Sequence, residues 1–436
     1  MLRALSRPAT RLMERWLPDA FIFVLVLTIV AALSAVIFEA NSPVAVVRMW
    51  GDGFWKLLEF SMQMLLVLVT GYILASSPPV RALLTRLAGL AGSAGSAIIL
   101  VSVVSLIASW LNWGFGLVVG AIFARELARQ IRVDYRLLVA AAYSGFVIWH
   151  GGISGSIPLT ISTPGHFTEG QIGIVPTALT IFSSWNLTIC LALFIVIPIA
   201  NRMMMPDDHE MVLVDPAMLH DAPEAPISAN PTPAERLENS RILMWLVGIP
   251  GLLWLAMHFG GGGGLNLNVV NFLFLFLGII LHGSARSLLS ALDRAVKGGA
   301  GIVIQFPFYA GIMAIMTGSG LATSLSEFFV SISTAETLPF WSFIAGGIVN
   351  IFVPSGGGQW AVQAPVMLPA AEALGADIPR VAMGVAWGDA WTNLLQPFWA
   401  LPMLGIAGLK ARDIMGYCVV MLLVTGVVIG AGLLFL

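Results

Sequence analysis

Two apolar stretches of this 436-residue chain, about 97–128 and 339–371, are too long for a single membrane crossing, and each is broken in its middle by Gly, Asn, Pro or Trp. No other feature restricts the fold so tightly. A helix of about 20 apolar residues spans a bilayer. Backbone that leaves the helix at that depth must be buried in protein or line a wet cavity. Arg81 and Arg86 precede the first stretch, and Arg125, Arg129, Arg132 and Arg136 follow it. Matching charge at both ends places them on one face of the membrane, which predicts a re-entrant hairpin, and the second stretch reads the same way.

The surrounding sequence fits a polytopic membrane chain. Only 10% of residues are charged, against about 25% in a soluble protein, and 58% are hydrophobic. A net charge of -2 gives no electrostatic case for a nucleic-acid partner. Cys190 and Cys418 both lie inside apolar runs, so packing is expected of them rather than a disulfide or a metal site. Nine full crossings are predicted, at about 21–40, 57–76, 137–165, 176–200, 242–258, 266–283, 299–317, 379–408 and 414–436. The first is long enough to span and no small-residue cleavage site follows it, so it reads as a span rather than a signal peptide. Arg3, Arg7, Arg11 and Arg15 before it read as its cytoplasmic anchor.

Positive charge tests this layout, because cytoplasmic loops collect Lys and Arg. With the N-terminus inside, only Arg48, Lys56 and Arg380 of the 21 Lys and Arg fall on the far side. A multi-pass inner-membrane protein with a cytoplasmic N-terminus is the expectation. The stretch 201–241 is acidic and proline-rich, and reads as a cytoplasmic linker. Gly260–Gly264 reads as a flexible external turn and not as a phosphate loop, since no Gly-Lys-Ser/Thr follows.

The linker separates two halves that resemble each other. FSMQMLLVLVTGYILASSPPV (60–80) lies over IVIQFPFYAGIMAIMTGSGLA (302–322), matching Gln63 with Gln305. Asn112 corresponds to Asn350, and AAAYSGFVIWHGG (140–152) to MGVAWGDAWTNL (383–394). Residues 1–200 form the first repeat, 242–265 a connecting span and external turn, and 266–436 the second repeat. The odd span between the halves inverts their orientation. The expected fold is therefore an all-α polytopic protein with an inverted repeat, two re-entrant hairpins (97–128 and 339–371) and two broken transmembrane helices (137–165 and 379–408). Such repeats point to a secondary transporter with its site where the breaks converge.

Four breaks supply the candidate site. The hairpin tips offer Asn112, Trp113, Gly114 and Gly116, and then Ser355, Gly356, Gly357, Gly358 and Gln359, with Asn350 before them. The broken spans offer Gly152, Ser154 and Ser156, and Thr392, Asn393 and Gln396. Interrupted helices leave N–H groups and partial positive charge at their N-termini, which together suit a small anion. Freed carbonyls at the opposite ends equally permit Na+. Ionisable groups at membrane depth are functional candidates by default, so Asp389 and His150 are the candidates for a coupling proton. No metal and no cofactor is expected beyond a coupling ion, H+ or Na+.

Longer strings carry a family resemblance: RWLPDAFIF (15–23), MWGDGFW (49–55), NWGFGLVVGA (112–121), RMMMP (202–206), QFPFYAGI (305–312), VPSGGGQW (353–360), QPFWALP (396–402) and RDIMGYC (412–418). In these the chain resembles the short-chain fatty acid transporter family, of the acetoacetate-degradation type, within the wider ion-transporter superfamily. That resemblance implies a small carboxylate cargo such as acetoacetate or butyrate, elevator-like movement of a mobile domain, and a homodimer. Symport with H+ or Na+ is the leading form. The alternatives are a carboxylate exchanger or dicarboxylate carrier, an intramembrane enzyme, or a channel. An enzyme is disfavoured because no HExxH or GxSxG motif occurs, and a channel because hairpins and inverted repeats suit a closed, moving site.

Overall fold

The computed structural model describes residues 20–207, 209–214, 219, 231–351, 353 and 355–436. The basic residues Arg3 to Arg15, residues 215–218 and 220–230 of the linker and Pro354 of the second tip lie outside them. Among the described residues every element is helical. The first group is α1 (Ala20–Ile37), α2 (Pro43–Gly53), α3 (Leu58–Ala75), α4 (Pro78–Ala88), α5 (Ala94–Leu111) and α6 (Trp113–Gln130). Next come α7 (Tyr135–Ser144), running on as a 3-10 turn over Gly145–Gly151, then α8 (Ser156–Ile161), α9 (Ser184–Met203), α10 (Arg241–Gly260) and α11 (Leu267–His282). The long α12 (Ala285–Ser319) and α13 (Leu321–Ile332) lead into α14 (Leu338–Asn350), α15 (Gly356–Leu374) and α16 (Ile378–Thr392). A 3-10 turn over Asn393–Leu395, α17 (Pro397–Ala407) and α18 (Ala411–Phe435) complete the chain.

Of the nine expected crossings, those at 57–76, 137–165, 176–200, 242–258, 299–317 and 414–436 coincide with helices long and apolar enough to span. Those at 21–40, 266–283 and 379–408 fall on helices outside that group, and Ala94–Leu111, read as a hairpin arm, belongs to it. The span placed at 176–200 begins only at Ser184, because Thr177–Leu179 forms a separate 3-10 turn. The span at 299–317 is the far part of α12, whose helix already starts at Ala285 and carries Arg286, Arg294 and Lys297. Helices α2, α4 and α13, of 11, 11 and 12 residues, stand where no element was predicted. Pro43 and Pro78 open α2 and α4, where a missing N–H costs nothing. Among the described residues, seven helices are long and apolar enough to cross a membrane.

Polarity is arranged for lipid. Val26, Ile29, Leu33 and Ile37 of α1 are exposed along one stripe, as are Leu191, Ile195 and Ile199 of α9. Asn112, Asn186, Asn201, Asn350, Asn393 and Asp389 are fully buried in the interior. Both cysteines are buried and unbridged. Cations gather at one end of the bundle: Arg81, Arg125, Arg129 and Arg294 line one cavity, and Arg136 faces Asp413 at 3.8 Å. Arg380 lies at the other end, donating to the Leu433 carbonyl near the close of α18.

Two helix pairs position the site. Gly346 and Gly347 of α14 face α16, and Gly384 and Gly388 of α16 face α14, in an order that makes the helices parallel: 339 beside 384, 343 beside 388, 347 beside 391. Small residues permit this approach, and a Cβ at Gly388 would fall on the Phe343 carbonyl. In the first half α5 runs parallel to α7 and its 3-10 turn in the same manner. Asn201 ties Ser102 of α5 to Ser144 of α7 at 3.0 and 2.8 Å, Gly145 packs on Ser105, and Gly152 packs on Trp110.

Candidate functional site

Each hairpin turns at a capped corner. Asn112 alone separates α5 from α6; its Oδ1 accepts the Phe115 N–H at 2.9 Å and its Nδ2 donates to the Val67 carbonyl at 3.3 Å. At the second corner Ser355 caps α15, its Oγ accepting the Gly358 N–H at 3.5 Å. Asn112 thus both closes an arm and caps the next, whereas the second hairpin divides these tasks between Asn350 and Ser355. The sequence match of Asn112 with Asn350 captures only the first task.

The broken spans come apart where glycines and polar residues remove regular helix. The first loosens from Gly145, earlier than the His150 expected, and restarts at Ser156. The second stops at Thr392 and restarts at Pro397, whose ring supplies no N–H and suits a helix start.

Hydrogen bonds tie the four breaks together. Ser154 Oγ accepts the Trp113 N–H at 2.9 Å, and the Ile153 N–H donates to the Trp110 carbonyl at 2.8 Å, joining first tip to first broken span. Asn350 Nδ2 donates to the Asp389 carbonyl at 2.8 Å and to Thr392 Oγ1 at 2.9 Å, while Gln396 Nε2 donates to the Asn350 carbonyl. Between the halves, Trp149 Nε1 donates to Asn393 Oδ1 at 3.0 Å and Tyr143 OH to the Asn393 carbonyl at 2.6 Å. His150 Nε2 lies 3.8 Å from Asp389 Oδ1, both side chains fully buried. Gly356 rests against His150 and Trp149, so a side chain there would collide with both.

The breaks enclose a cavity of about 20 Å³, lined by Trp113, Trp149, Ser156, Ser355, Gly356 and Trp399. Its remaining wall is Met64 of α3 with Ile302, Gln305 and Phe306 of α12. A space of this size holds roughly one water and is smaller than a four-carbon acid. The lining carries no Lys or Arg. The indole N–H of Trp113 is buried without a hydrogen-bond partner among the described residues. The first turns of α6, α8, α15 and α17 all begin here, and the last turns of α5, α14 and α16 end here. N–H groups and carbonyls therefore converge on one region, so it can receive an anion at the helix starts and a cation at the helix ends.

Not every predicted residue reaches the cavity wall. Gly114 and Gly116 press on Leu68 and Ser109, Gly152 on Trp110, and Gly357 and Gly358 on Phe60 and Tyr309. Gln359 bonds the Gly346 carbonyl and Gln363, both at 2.8 Å. These hold the corners in place. Of the matched glutamines, Gln305 faces the cavity, whereas Gln63 donates to Asn268 at 3.1 Å. The sequence reading missed Tyr143, Trp149, Trp399, Met64 and Phe306. The one available signal was the aromatic spacing Tyr143, Phe146, Trp149, which stacks along the loosened helix with ring centroids 6.1 and 5.7 Å apart.

A family profile described as short chain fatty acid transporter matches residues 1–436. An Escherichia coli K12 protein provisionally named a short-chain fatty acid transporter is 45% identical over 437 residues, covering 99% of each chain. A Haemophilus influenzae protein with the same provisional name is 43% identical over 447 residues, covering 100% of each. Among solved structures, the YdaH transporter of Alcanivorax borkumensis superposes with a TM-score of 0.57 at 16% identity, over 95% of this chain and 98% of that one. That likeness speaks for the fold, a multi-pass transporter architecture.

Proposed function

The chain belongs to the short-chain fatty acid transporter family, and from that premise we propose that it is a secondary transporter of a small monocarboxylate, of the acetoacetate or butyrate class, across the inner membrane. The carrying observation is the convergence of all four interrupted segments on one cavity in which the Trp113 indole N–H lacks a partner among the described residues. A carboxylate satisfies that donor, the Ser156 and Ser355 hydroxyls and the helix starts together, while a short alkyl tail suits the Met64, Phe306 and Trp399 wall. Because the cavity is smaller than the cargo, loading requires the tips and broken spans to move relative to α3 and α12. Such movement fits alternating access by an elevator-like domain within an inverted repeat.

Proton coupling belongs to the His150–Asp389 pair. A buried acid and base 3.8 Å apart can exchange between a neutral and an ionised arrangement, at a cost that depends on the charge beside them. An arriving carboxylate supplies such a charge. A second reading, Na+ symport, is favoured by a separate observation: Asn350 Oδ1, Gln359 Oε1 and Asp389 Oδ2 are buried without hydrogen-bond partners among the described residues, and oxygens in that state suit a hard cation.

Reconstituted vesicles test both. Labelled butyrate is expected to accumulate under an inward acid gradient, and Asp389→Asn is expected to remove the acceleration by that gradient while leaving counterflow. Accumulation driven by Na+ alone transfers coupling to the second reading. Movement only down the concentration gradient points to a channel, and a chemically altered cargo to an enzyme. If neither butyrate nor acetoacetate moves under any gradient, the substrate assignment is wrong.

A further inference from the structure

The wall that α3 and α12 give to the small cavity is Met64, Ile302 and Phe306, with Gln305 as its one polar residue. The opposite wall, from the tips and broken spans, carries the Trp113 indole and the Ser156 and Ser355 hydroxyls. Gln305 is buried, at 4% exposure. A glutamine at that depth is ordinarily explained by a hydrogen bond that joins two helices. Its counterpart in the repeat does this, since Gln63 of α3 donates to Asn268 of α11 at 3.1 Å. Gln305 does not. Among the described residues its side chain makes one hydrogen bond, in which Oε1 accepts the hydroxyl of Tyr309 at 3.3 Å, one turn along the same helix.

That bond settles which end of the amide is left for the cavity. Tyr309 is fully buried and lies edge-on to Phe306, with ring centroids 5.7 Å apart. A Cβ at Gly358 of the second tip would collide with the Tyr309 ring, so the tip packs directly on it. The ring is held in place, and its hydroxyl needs an acceptor, because a buried donor without one is costly. Gln305 Oε1 is the acceptor it has. The amide nitrogen keeps two donors, and Nε2 is left to a group inside the cavity. This donor is uncharged and stands on an otherwise apolar wall, across the cavity from the groups that receive the carboxylate.

We propose that Gln305 is a specificity-determining residue whose Nε2 donates to an oxygen on the third carbon of the cargo, so that the protein prefers a 3-oxo acid to the unsubstituted acid of the same length. The assignment rests on the transport function proposed above and narrows its substrate class. Loading requires the tips and broken spans to part from α3 and α12, which places the cargo between the two walls. With the carboxylate on the tip side, the third carbon is presented to α12. Butyrate offers a methylene there and 3-oxobutyrate a carbonyl. The methylene leaves the amide donor dry and unpaired, whereas the carbonyl pairs it. A site that hydrogen-bonds its substrate discriminates against the analogue lacking the group, because its own buried donor is then unsatisfied. Tyr309 is a positioning residue that acts through Gln305.

The full chain in proteoliposomes tests this with labelled butyrate and labelled 3-oxobutyrate, the KM of each being measured in the parent, Gln305→Met and Tyr309→Phe. The parent is expected to show a KM for 3-oxobutyrate roughly fivefold below that for butyrate, the ratio a neutral hydrogen bond supplies. Gln305→Met is expected to bring the ratio to parity, the loss falling chiefly on 3-oxobutyrate, and Tyr309→Phe to reduce it. A glutamine kept only for structure would lower the thermal midpoint and leave the ratio unchanged. Parity in the parent overturns the assignment, as does a preference that survives Gln305→Met. An equal rise in KM for both acids also overturns it, since the amide then holds the carboxylate. Where Gln305→Met yields little folded protein, Tyr309→Phe keeps the ring and decides, an unchanged ratio overturning the assignment. If the parent moves neither acid, the transport reading itself falls; if it moves both alike, that reading stands and only the role of Gln305 is lost.

Discussion

At the scale of single residues, the site is built from donors and acceptors whose partners lie far away in sequence. Trp149 reaches Asn393, Tyr143 reaches the same residue's carbonyl, and His150 faces Asp389. On the cavity wall Trp113 carries an indole N–H that has no protein acceptor among the described residues. Trp113→Phe keeps a ring for the contacts with Trp149 and Trp399, at 6.0 and 5.4 Å, and deletes that donor. A hydrogen bond to a charged group contributes about 1.5–3 kcal/mol, so the KM for butyrate should rise at least tenfold with little change in the amount of folded protein. An unchanged KM would place the carboxylate elsewhere. Polar residue types at the breaks were legible in the sequence, because a hydrophilic side chain is costly in lipid and stands out in an apolar run. The aromatic lining was not legible, since Trp and Phe are ordinary in membrane helices and nothing local separates a ring that faces a cavity from one that faces lipid.

At the scale of elements, glycine decides how closely the half-helices lie. Gly388 and Gly384 bring α16 onto the backbone of α14, where a side chain has no room. Gly388→Leu should cost about 1–3 kcal/mol through overpacking and lower the thermal midpoint in detergent. Gly51 of α2 is the counter-case: exposed and helical, with nothing close to its position. There Ala should stabilise by about 0.5 kcal/mol, because it loses less chain entropy in a helix. A shift of the same sign in both variants would remove close approach as the explanation. Sequence showed both classes of glycine alike.

At the scale of the whole molecule, charge sets the orientation and the helix pairs set the site. α18 begins among the cations, with Asp413 facing Arg136, and its far end meets Arg380. A reporter fused after Leu436 should therefore lie on the opposite membrane face from one inserted at 220–230, with the linker reporter on the cytoplasmic side. Reporters on the same face would invalidate the span count. The two cavities also belong to this scale, because each draws its lining from helices hundreds of residues apart in sequence, with Met64, Trp113, Gln305 and Trp399 around one space.

Sequence by itself determined that the chain is helical and membrane-embedded, roughly where it crosses, where its helices are interrupted and which polar groups those interruptions carry. All of these follow from the free energy of moving side chains and unpaired backbone into hydrocarbon, which each segment meets alone. Tertiary structure decided that the interruptions meet, that Gln305 rather than Gln63 faces the space between them, that His150 opposes Asp389, and that four arginines from three separate helices share one chamber. Those outcomes depend on which helices pack together and at what rotation, a choice made by close contacts between distant parts of the chain that no local hydropathy pattern encodes.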